Sequence, residues 1–212
     1  MLLDKLDNNC QVCFVSDKLI PNDEIETDSR KVEILEGAIG VFLRYGFKKT
    51  SMDDVAKSVS ISRQALYLYF ADKEDLFKEG LRYFFATSFR SAAQILNQKK
   101  IPIEEKLFLA LEAWLGRYVG GKSSEADDLI LASKGLVSGL ICSYEEKFYL
   151  ALIEAIRDSK LNAYYIKKGI GPEQITNTLR AMAQGFKFSC DSDASFKIKL
   201  KESIQVICAP IL

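Results

Sequence analysis

The fold is decided by residues 50–73, which read TSMDDVAKSVSISRQALYLYFADK. Ser51 can cap a helix, and Asp54 lies three residues later, where a carboxylate can complete a capping box. Ser62 can cap a second helix through its hydroxyl. Between the two serines, apolar residues recur at spacings of three or four, which predicts one buried helical face. The pattern therefore predicts two short helices joined by a tight turn.

The second short helix, predicted over residues 63–70, carries side chains suited to contacting DNA bases. Arg63 can bond bidentately to guanine, Gln64 can do the same for adenine, and Tyr67 offers a hydroxyl and an apolar edge. Its apolar positions are Ala65, Leu66, Leu68 and Phe70. An ordinary surface helix hairpin has the same short pattern, so the flanking sequence must decide between the two.

The flanking residues resemble the DNA-binding domain of the TetR/AcrR family of transcriptional regulators. The matching positions occur in order and without a gap: Ile34-Leu35, Ala38, Phe42, Gly46-Phe47, Thr50-Ser51, Val55-Ala56, Ile61-Ser62, Leu66-Tyr67, Phe70 and Lys73-Glu74-Asp75-Leu76. The resemblance implies a double-stranded DNA operator as partner. It also implies contacts with DNA phosphates, which we expect from Thr50, Ser51, Ser62, Tyr69 and Lys73.

Composition narrows the classes of protein that need to be considered. The 29 basic and 29 acidic side chains balance, so a DNA contact has to come from local clustering of charge. The chain has no histidine, which removes the commonest metal ligand and general base and makes an enzyme less favoured. No cofactor is expected. No apolar run reaches the roughly 20 residues needed to cross a bilayer, and the start lacks a signal-peptide pattern, so a cytoplasmic protein is expected.

Residues 1–27 form an acidic segment with poor periodicity, expected to be a mobile N-terminal extension. Within it, Cys10 and Cys13 have the spacing of a redox pair or of half a zinc site, but no second such pair and no histidine completes a metal site. They are interpreted as two ordinary thiols, with redox or metal chemistry as the alternative. Cys142, Cys190 and Cys208 lie in apolar helical stretches.

The remaining chain has helical periodicity throughout, which predicts an all-α protein of about nine helices. Helices are predicted over residues 28–45, 72–97, 103–119 with an end at Gly120-Gly121, 124–140, 143–159, 172–188 and 193–209, in addition to the two short ones. The predicted organisation is a helix-turn-helix DNA-binding domain over residues 28–75, followed by a helical ligand-binding and dimerisation domain over residues 76–212.

The second domain is rich in aromatic residues, most of which must fill its core. A pocket for an apolar molecule between helices would be lined by the same residue types. The candidate pocket residues are Phe85, Phe89, Trp114, Tyr118, Tyr144, Phe148 and Gln184. The resemblance implies that the last two helices form a homodimer interface, with Ile175, Leu179, Met182, Phe186, Phe196, Leu200 and Ile204 as candidates. A monomer core explains these apolar stripes equally well.

These features predict a homodimeric repressor that binds a palindromic operator and releases it when a small apolar or amphipathic ligand binds. One alternative within the same class is a regulator controlled by cysteine redox or by a protein partner. An alternative from another class is a helical small-molecule binding protein, or an enzyme, with a vestigial helix-turn-helix.

Overall fold

The computed structural model describes residues 26–116 and 124–212. Within these ranges the protein is all-helical, as predicted, and contains nine α-helices. They are α1 (Ser29–Tyr45), α2 (Met52–Ser58), α3 (Arg63–Tyr67), α4 (Lys73–Leu96), α5 (Ile103–Leu115), α6 (Ser124–Arg157), α7 (Lys160–Tyr165), α8 (Pro172–Ser189) and α9 (Asp193–Cys208). The predictions for Cys10, Cys13, Tyr118 and Gly120-Gly121 lie outside the described residues. None of the described helices is long and apolar enough to span a lipid bilayer.

The backbone divides into two compact units. The first runs to Ala86 and includes Leu129–Glu146, and the second comprises Thr87–Asp128 and Lys147–Leu212. Both α4 and α6 therefore contribute residues to each unit. The two functional domains predicted from the sequence, residues 28–75 and 76–212, stay a prediction. The first compact unit is larger than the predicted DNA-binding domain, because it runs to Ala86 and includes Leu129–Glu146.

Helix α1 begins and ends where its sequence predicts. The Asp28 carboxylate accepts hydrogen bonds from the backbone N–H groups of Arg30 and Lys31, at 2.9 and 3.3 Å, and so satisfies two donors that lack partners inside the helix. The helix stops at Gly46, which adopts a φ of 83°, a value that favours glycine. One face of α1 is buried through Ile34, Leu35, Ala38, Ile39 and Phe42.

Close approach between α1 and the end of α2 sets the position of the two short helices. A β-carbon built on Gly37 would lie 2.2 Å from Cγ1 of Val59, so the contact requires glycine. The core around it includes Val55, Leu66, Phe70 and Phe77. Phe42 meets Phe77 edge to face, with ring centroids 5.1 Å apart, which joins α1 to α4.

In the second unit, α5, α8 and α9 pack together. The fully buried side chains at their contact include Leu111 of α5, Leu179 of α8, and Phe196 and Leu200 of α9. At the surface of this contact, the Lys197 ammonium pairs with the carboxylates of Glu112 at 2.7 Å and Asp193 at 2.9 Å. These two carboxylates raise the pKa of Lys197 above its ordinary value.

The main differences from the predicted helices concern α6, α7 and α3. The two helices expected over residues 124–140 and 143–159 both lie within α6, and the break between them is a kink at Val137, a few residues earlier than expected, where φ is −142° and ψ is 22°. The short helix α7 was not predicted, although Ser159 caps it. Helix α3 ends at Tyr67, three residues earlier than expected, and the side chain of Leu68, assigned to the apolar set, is 86% exposed.

Candidate DNA-binding site

A capping box fixes the start of α2. The Ser51 hydroxyl and backbone N–H both donate to Oδ2 of Asp54, at 2.6 and 2.9 Å, and the Asp54 N–H donates back to the Ser51 oxygen at 3.2 Å. These hydrogen bonds stabilise the charged carboxylate and lower the pKa of Asp54. The capping box predicted from the sequence is therefore present, and it fixes the first turn of α2.

The turn between α2 and α3 contains a residue in the left-handed region. Ser60 adopts a φ of 55°, uncommon for a residue other than glycine. Hydrogen bonds hold the turn, because the Ser60 N–H donates to the carbonyl of Lys57 at 3.2 Å and the Ile61 N–H to that of Ala56 at 3.0 Å. The turn thereby places Ser62 where it can cap α3, and its hydroxyl accepts from the Ala65 N–H at 3.0 Å.

Helix α3 buries Leu66 completely and leaves the three candidate base-contacting side chains, Arg63, Gln64 and Tyr67, exposed. Arg63 donates a hydrogen bond from Nη2 to the Tyr67 hydroxyl at 3.3 Å, and its guanidinium carbon lies 5.5 Å from the centroid of the Tyr67 ring. This contact raises the pKa of Arg63. The pair therefore presents a cation, a hydroxyl and an aromatic edge on one exposed surface.

The five candidate phosphate contacts differ in how they are placed. Ser62 and Tyr69 are exposed, and the Ser62 hydroxyl accepts a backbone hydrogen bond while keeping its own proton to donate. The Ser51 hydroxyl is exposed, but its proton is directed to Asp54. Thr50 is 2% exposed and its hydroxyl donates to the carbonyl of Gly46 at 2.7 Å. A direct phosphate contact from the Thr50 side chain stays a prediction, and its observed role is to fold the connection between α1 and α2.

Lys73, the fifth candidate, lies in the first turn of α4 and is directed into the domain. Its ammonium donates to the carbonyl oxygens of Phe47 at 2.9 Å and Thr50 at 3.0 Å. It also lies 4.5 Å from the centroid of the Phe47 ring, within reach of a cation–π contact. Two of its three N–H donors are thus used inside the protein, a role that sequence reasoning missed because the partners lie 23 and 26 residues away.

The candidate pocket residues fall into the two units. In the first unit, the rings of Phe85 and Tyr144 stack with centroids 6.4 Å apart. In the second unit, Trp114 and Phe148 stack at 5.0 Å, and Lys147 lies 5.9 Å from the Phe89 ring. Gln184, also in the second unit, donates to the Tyr149 hydroxyl at 3.4 Å.

Most of the candidate dimer-interface residues fill the interior of the single chain. Five of the seven, Ile175, Leu179, Phe196, Leu200 and Ile204, are at most 5% exposed, and Met182 and Phe186 are half-buried. The five buried side chains cannot offer contact area to a second copy without opening this core. The large apolar side chains that α8 and α9 do expose are Phe188, Ile198 and Val206.

Comparison with known proteins places this helix-turn-helix in a family. The family model described as bacterial regulatory proteins, tetR family, matches residues 34–79. The helix-turn-helix segment of the chain, residues 34–79, is therefore of the TetR-family type. Over 63 residues it is 44% identical to an uncharacterized HTH-type transcriptional regulator, YfiR, of Bacillus subtilis, covering 26% of this chain and 31% of that protein. Over 94 residues it is 34% identical to the HTH-type transcriptional repressor KstR2 of Mycolicibacterium smegmatis, covering 43% and 46%.

These matches span less than half the length of the curated relatives, while the TetR-like fold extends over most of the chain. The TetR-family regulator PfmR of Thermus thermophilus superposes with a TM-score of 0.60 at 19% identity, covering 84% of this chain and 98% of that one. The ketosteroid transcriptional regulator KstR2 of Mycobacterium tuberculosis gives a TM-score of 0.58 at 16% identity, covering 88% and 96%. At these identities the likeness concerns the fold alone.

Proposed function

We propose that the protein is a sequence-specific, double-stranded DNA-binding transcriptional regulator. The observation that carries this proposal is the exposed surface of α3, where Arg63, Gln64 and Tyr67 project from a helix whose opposite face is anchored by Leu66. Short helices of this kind enter the major groove with their first residues against base edges. Arg63 and Gln64 occupy the first two positions of α3.

Leu68 extends this surface. Because α3 ends at Tyr67, the Leu68 side chain points into solvent beside the recognition residues. A large apolar group exposed at this place suits contact with the methyl group of a thymine. Ser62 and Tyr69 flank it and supply hydroxyl groups for phosphates, which position the protein without selecting sequence.

We further propose that the regulator is a homodimer that binds a palindromic operator. Helix-turn-helix proteins gain specificity by placing two recognition helices one helical turn of DNA apart. The exposed residues Phe188, Ile198 and Val206 support a dimer surface on the outer faces of α8 and α9. Of the interface residues expected from the sequence, Met182 and Phe186 are half-buried and keep some area for such a contact, whereas Leu179 and Leu200 are buried.

We also propose that the protein is a repressor and that a small ligand releases it from the operator. A ligand changes DNA occupancy only through its different affinities for the DNA-bound and released conformations. A coupling free energy of about 1–3 kcal/mol changes operator affinity roughly 5- to 150-fold. The aromatic residues of the second unit, among them Trp114 and Phe148, supply the type of surface that an apolar or amphipathic ligand would contact.

Selection of bound sequences from random duplex DNA tests the proposal. We expect enrichment of a palindrome by the wild type and loss of its consensus in the Arg63→Ala variant. Lys57→Ala serves as the control, because Lys57 is an exposed cation on α2. A failure to enrich any sequence at low salt would contradict the regulator and favour a helical ligand-binding protein or enzyme. Enrichment that peroxide abolishes and dithiothreitol restores would instead favour control through cysteines.

A further inference from the structure

Three aromatic rings meet within the second unit. Trp114 of α5 stacks on Phe148 of α6 at 5.0 Å with an interplanar angle of 21°, and Phe148 contacts Tyr149 at 5.6 Å. Trp114 and Phe148 are buried, while Tyr149 is half-buried. The cluster is therefore apolar at Trp114 and Phe148 and has a polar edge at the Tyr149 hydroxyl.

At that edge, Arg180 of α8 lies over the Tyr149 ring, with its guanidinium carbon 4.4 Å from the ring centroid. Arg180 is half-buried, and no carboxylate in the described part of the chain forms an ion pair with it. A cation–π contact forms no hydrogen bond, so the N–H donors of the guanidinium remain available to an anion. A planar anion could therefore bond to Arg180 without displacing it from Tyr149.

Two further polar groups lie on the same side of α8, one helical turn before and one after Arg180. The Thr176 side chain is 1% exposed, and its hydroxyl has no hydrogen-bond partner among the described residues. Gln184 donates from Nε2 to the Tyr149 hydroxyl at 3.4 Å, so it belongs to the same edge. A buried hydroxyl without a partner is costly in a protein and calls for an explanation.

We propose that these residues bind the carboxylate of an amphipathic organic acid, whose apolar tail contacts the aromatic cluster. Arg180 supplies a bidentate contact to the carboxylate, the geometry that guanidinium and carboxylate share. Thr176 donates its hydroxyl proton, and the Gln184 amide lies beside the second carboxylate oxygen. The inference rests on the ligand-controlled form of the proposed function and narrows its ligand to a monocarboxylate with an alkyl or aryl body.

Trp114 is the only tryptophan in the chain, so its fluorescence reports binding at this cluster directly. The probes are octanoate, octanol and octylammonium, which share an alkyl chain and differ in head group. The wild-type protein should show saturable fluorescence changes with octanoate, at a dissociation constant about 10-fold or more below that for octanol, since charge-assisted hydrogen bonds are the stronger ones. Octylammonium should bind more weakly than octanol, because Arg180 repels it.

Arg180→Met removes the charge and keeps much of the apolar stem, so octanoate should lose its advantage over octanol while octanol binding changes less than about 3-fold. Arg157→Met is the matched control. It removes an arginine of the same unit that is exposed and paired with Glu173 at 3.1 Å, and the octanoate preference should remain. Thr176→Val should weaken octanoate alone and raise the melting temperature, because it removes a buried hydroxyl without a partner.

The inference is overturned if the wild type binds octanoate no more tightly than octanol, or if Arg180→Met keeps the preference. Circular dichroism checks that each variant is folded, and Arg180→Lys, which keeps the charge but not the planar fork, replaces Arg180→Met if the latter unfolds. All these titrations are made without DNA. If the protein selects an operator but shows no octanoate preference, this inference fails and the DNA-binding proposal stands. If it prefers octanoate but selects no operator, the DNA-binding proposal fails and the carboxylate site stands.

Discussion

The Lys73 ammonium donates a hydrogen bond to the carbonyl oxygen of Thr50, 3.0 Å away, and so joins the first turn of α4 to the residue that precedes the Ser51 cap. A second bond from the same ammonium reaches the carbonyl of Phe47 at 2.9 Å. Both acceptors belong to the connection between α1 and α2. We infer that Lys73 holds this connection in place and, through Ser51, the start of the helix-turn-helix.

Replacing Lys73 with methionine should lower the free energy of unfolding by about 1–3 kcal/mol, because two backbone carbonyls lose a charged donor. Lys78→Met is the matched control, since Lys78 is exposed on the same helix. Urea denaturation measures both. Equal stability of the two variants would contradict the positional role of Lys73.

The salt dependence of operator binding distinguishes two roles for Lys73: holding the connection between α1 and α2, or contacting a DNA phosphate. Each phosphate that a protein neutralises contributes about 0.9 to the slope of log affinity against log salt concentration. If Lys73 acts by positioning, Lys73→Met should weaken operator binding at every salt concentration and leave the slope unchanged. A slope that falls by about 0.9 or more would instead support the phosphate contact predicted from the sequence.

The contact between Gly37 and Val59 should make α1 intolerant of a side chain at that one position. Gly37→Ala places a β-carbon 2.2 Å from Cγ1 of Val59, and overpacking of this kind costs about 1–3 kcal/mol. Gly40→Ala on the same helix meets no atom within 4 Å and should be neutral or stabilising by up to about 1 kcal/mol, as the helix propensity of alanine predicts. The melting temperature should therefore fall for Gly37→Ala and stay unchanged or rise for Gly40→Ala, and a loss at both positions would contradict the packing described.

Local signals in the sequence predicted the elements that local chemistry controls. The Ser51 and Asp54 capping box, the Ser62 cap and the end of α1 at Gly46 are all present as expected. The kink at Val137 lies between Gly135 and Gly139 and next to Ser138, residue types at which helices kink, whereas the break was predicted a few residues later. Leu68 was assigned to the apolar set because the predicted helix ran too far.

Contacts between residues distant in sequence could not be predicted in the same way. Apolar stripes on α8 and α9 fit a dimer surface and a monomer core equally well, and only the fold shows that Leu179 and Phe196 are buried within one chain. The cation–π contact between Arg180 and Tyr149 joins residues on different helices, so periodicity alone gave no sign of it. Gln184, one turn from Arg180, was the single polar residue of this edge that the sequence singled out.

The Asp54 carboxylate should make stability depend on pH at the acid end. Its folded-state pKa is lowered, first by the hydrogen bond from the Ser51 hydroxyl and then by that from the Ser51 backbone, so it stabilises the fold above its unfolded value of 3.8. This stabilisation is lost as the pH falls through the lower folded-state pKa. Asp54→Ala should therefore be less stable than the wild type at neutral pH, and the difference should shrink as the pH falls below about 4.

Asp53→Ala is the control for this pH dependence, because Asp53 occupies the same helical turn and pairs with Lys57 at 2.6 Å but takes no part in the capping box. Denaturant titrations at a series of pH values compare the two variants. A gap between Asp54→Ala and the wild type that persists unchanged in acid would show that the charged carboxylate is not what stabilises the start of α2.

Base preference gives the sharpest test of the exposed surface of α3. Arg63→Ala and Gln64→Ala should each weaken binding to the selected operator by roughly 1–3 kcal/mol per bidentate contact and have little effect on a scrambled duplex. Tyr67→Phe removes the hydroxyl that accepts from Arg63 at 3.3 Å and keeps the ring, so it should shift preference at the Arg63 base without abolishing binding. Binding is measured by fluorescence anisotropy on both duplexes, at one salt concentration. Equal losses on the two duplexes for Arg63→Ala would mean that the guanidinium contacts phosphate, and base selection would then have to reside in Gln64, Tyr67 and Leu68.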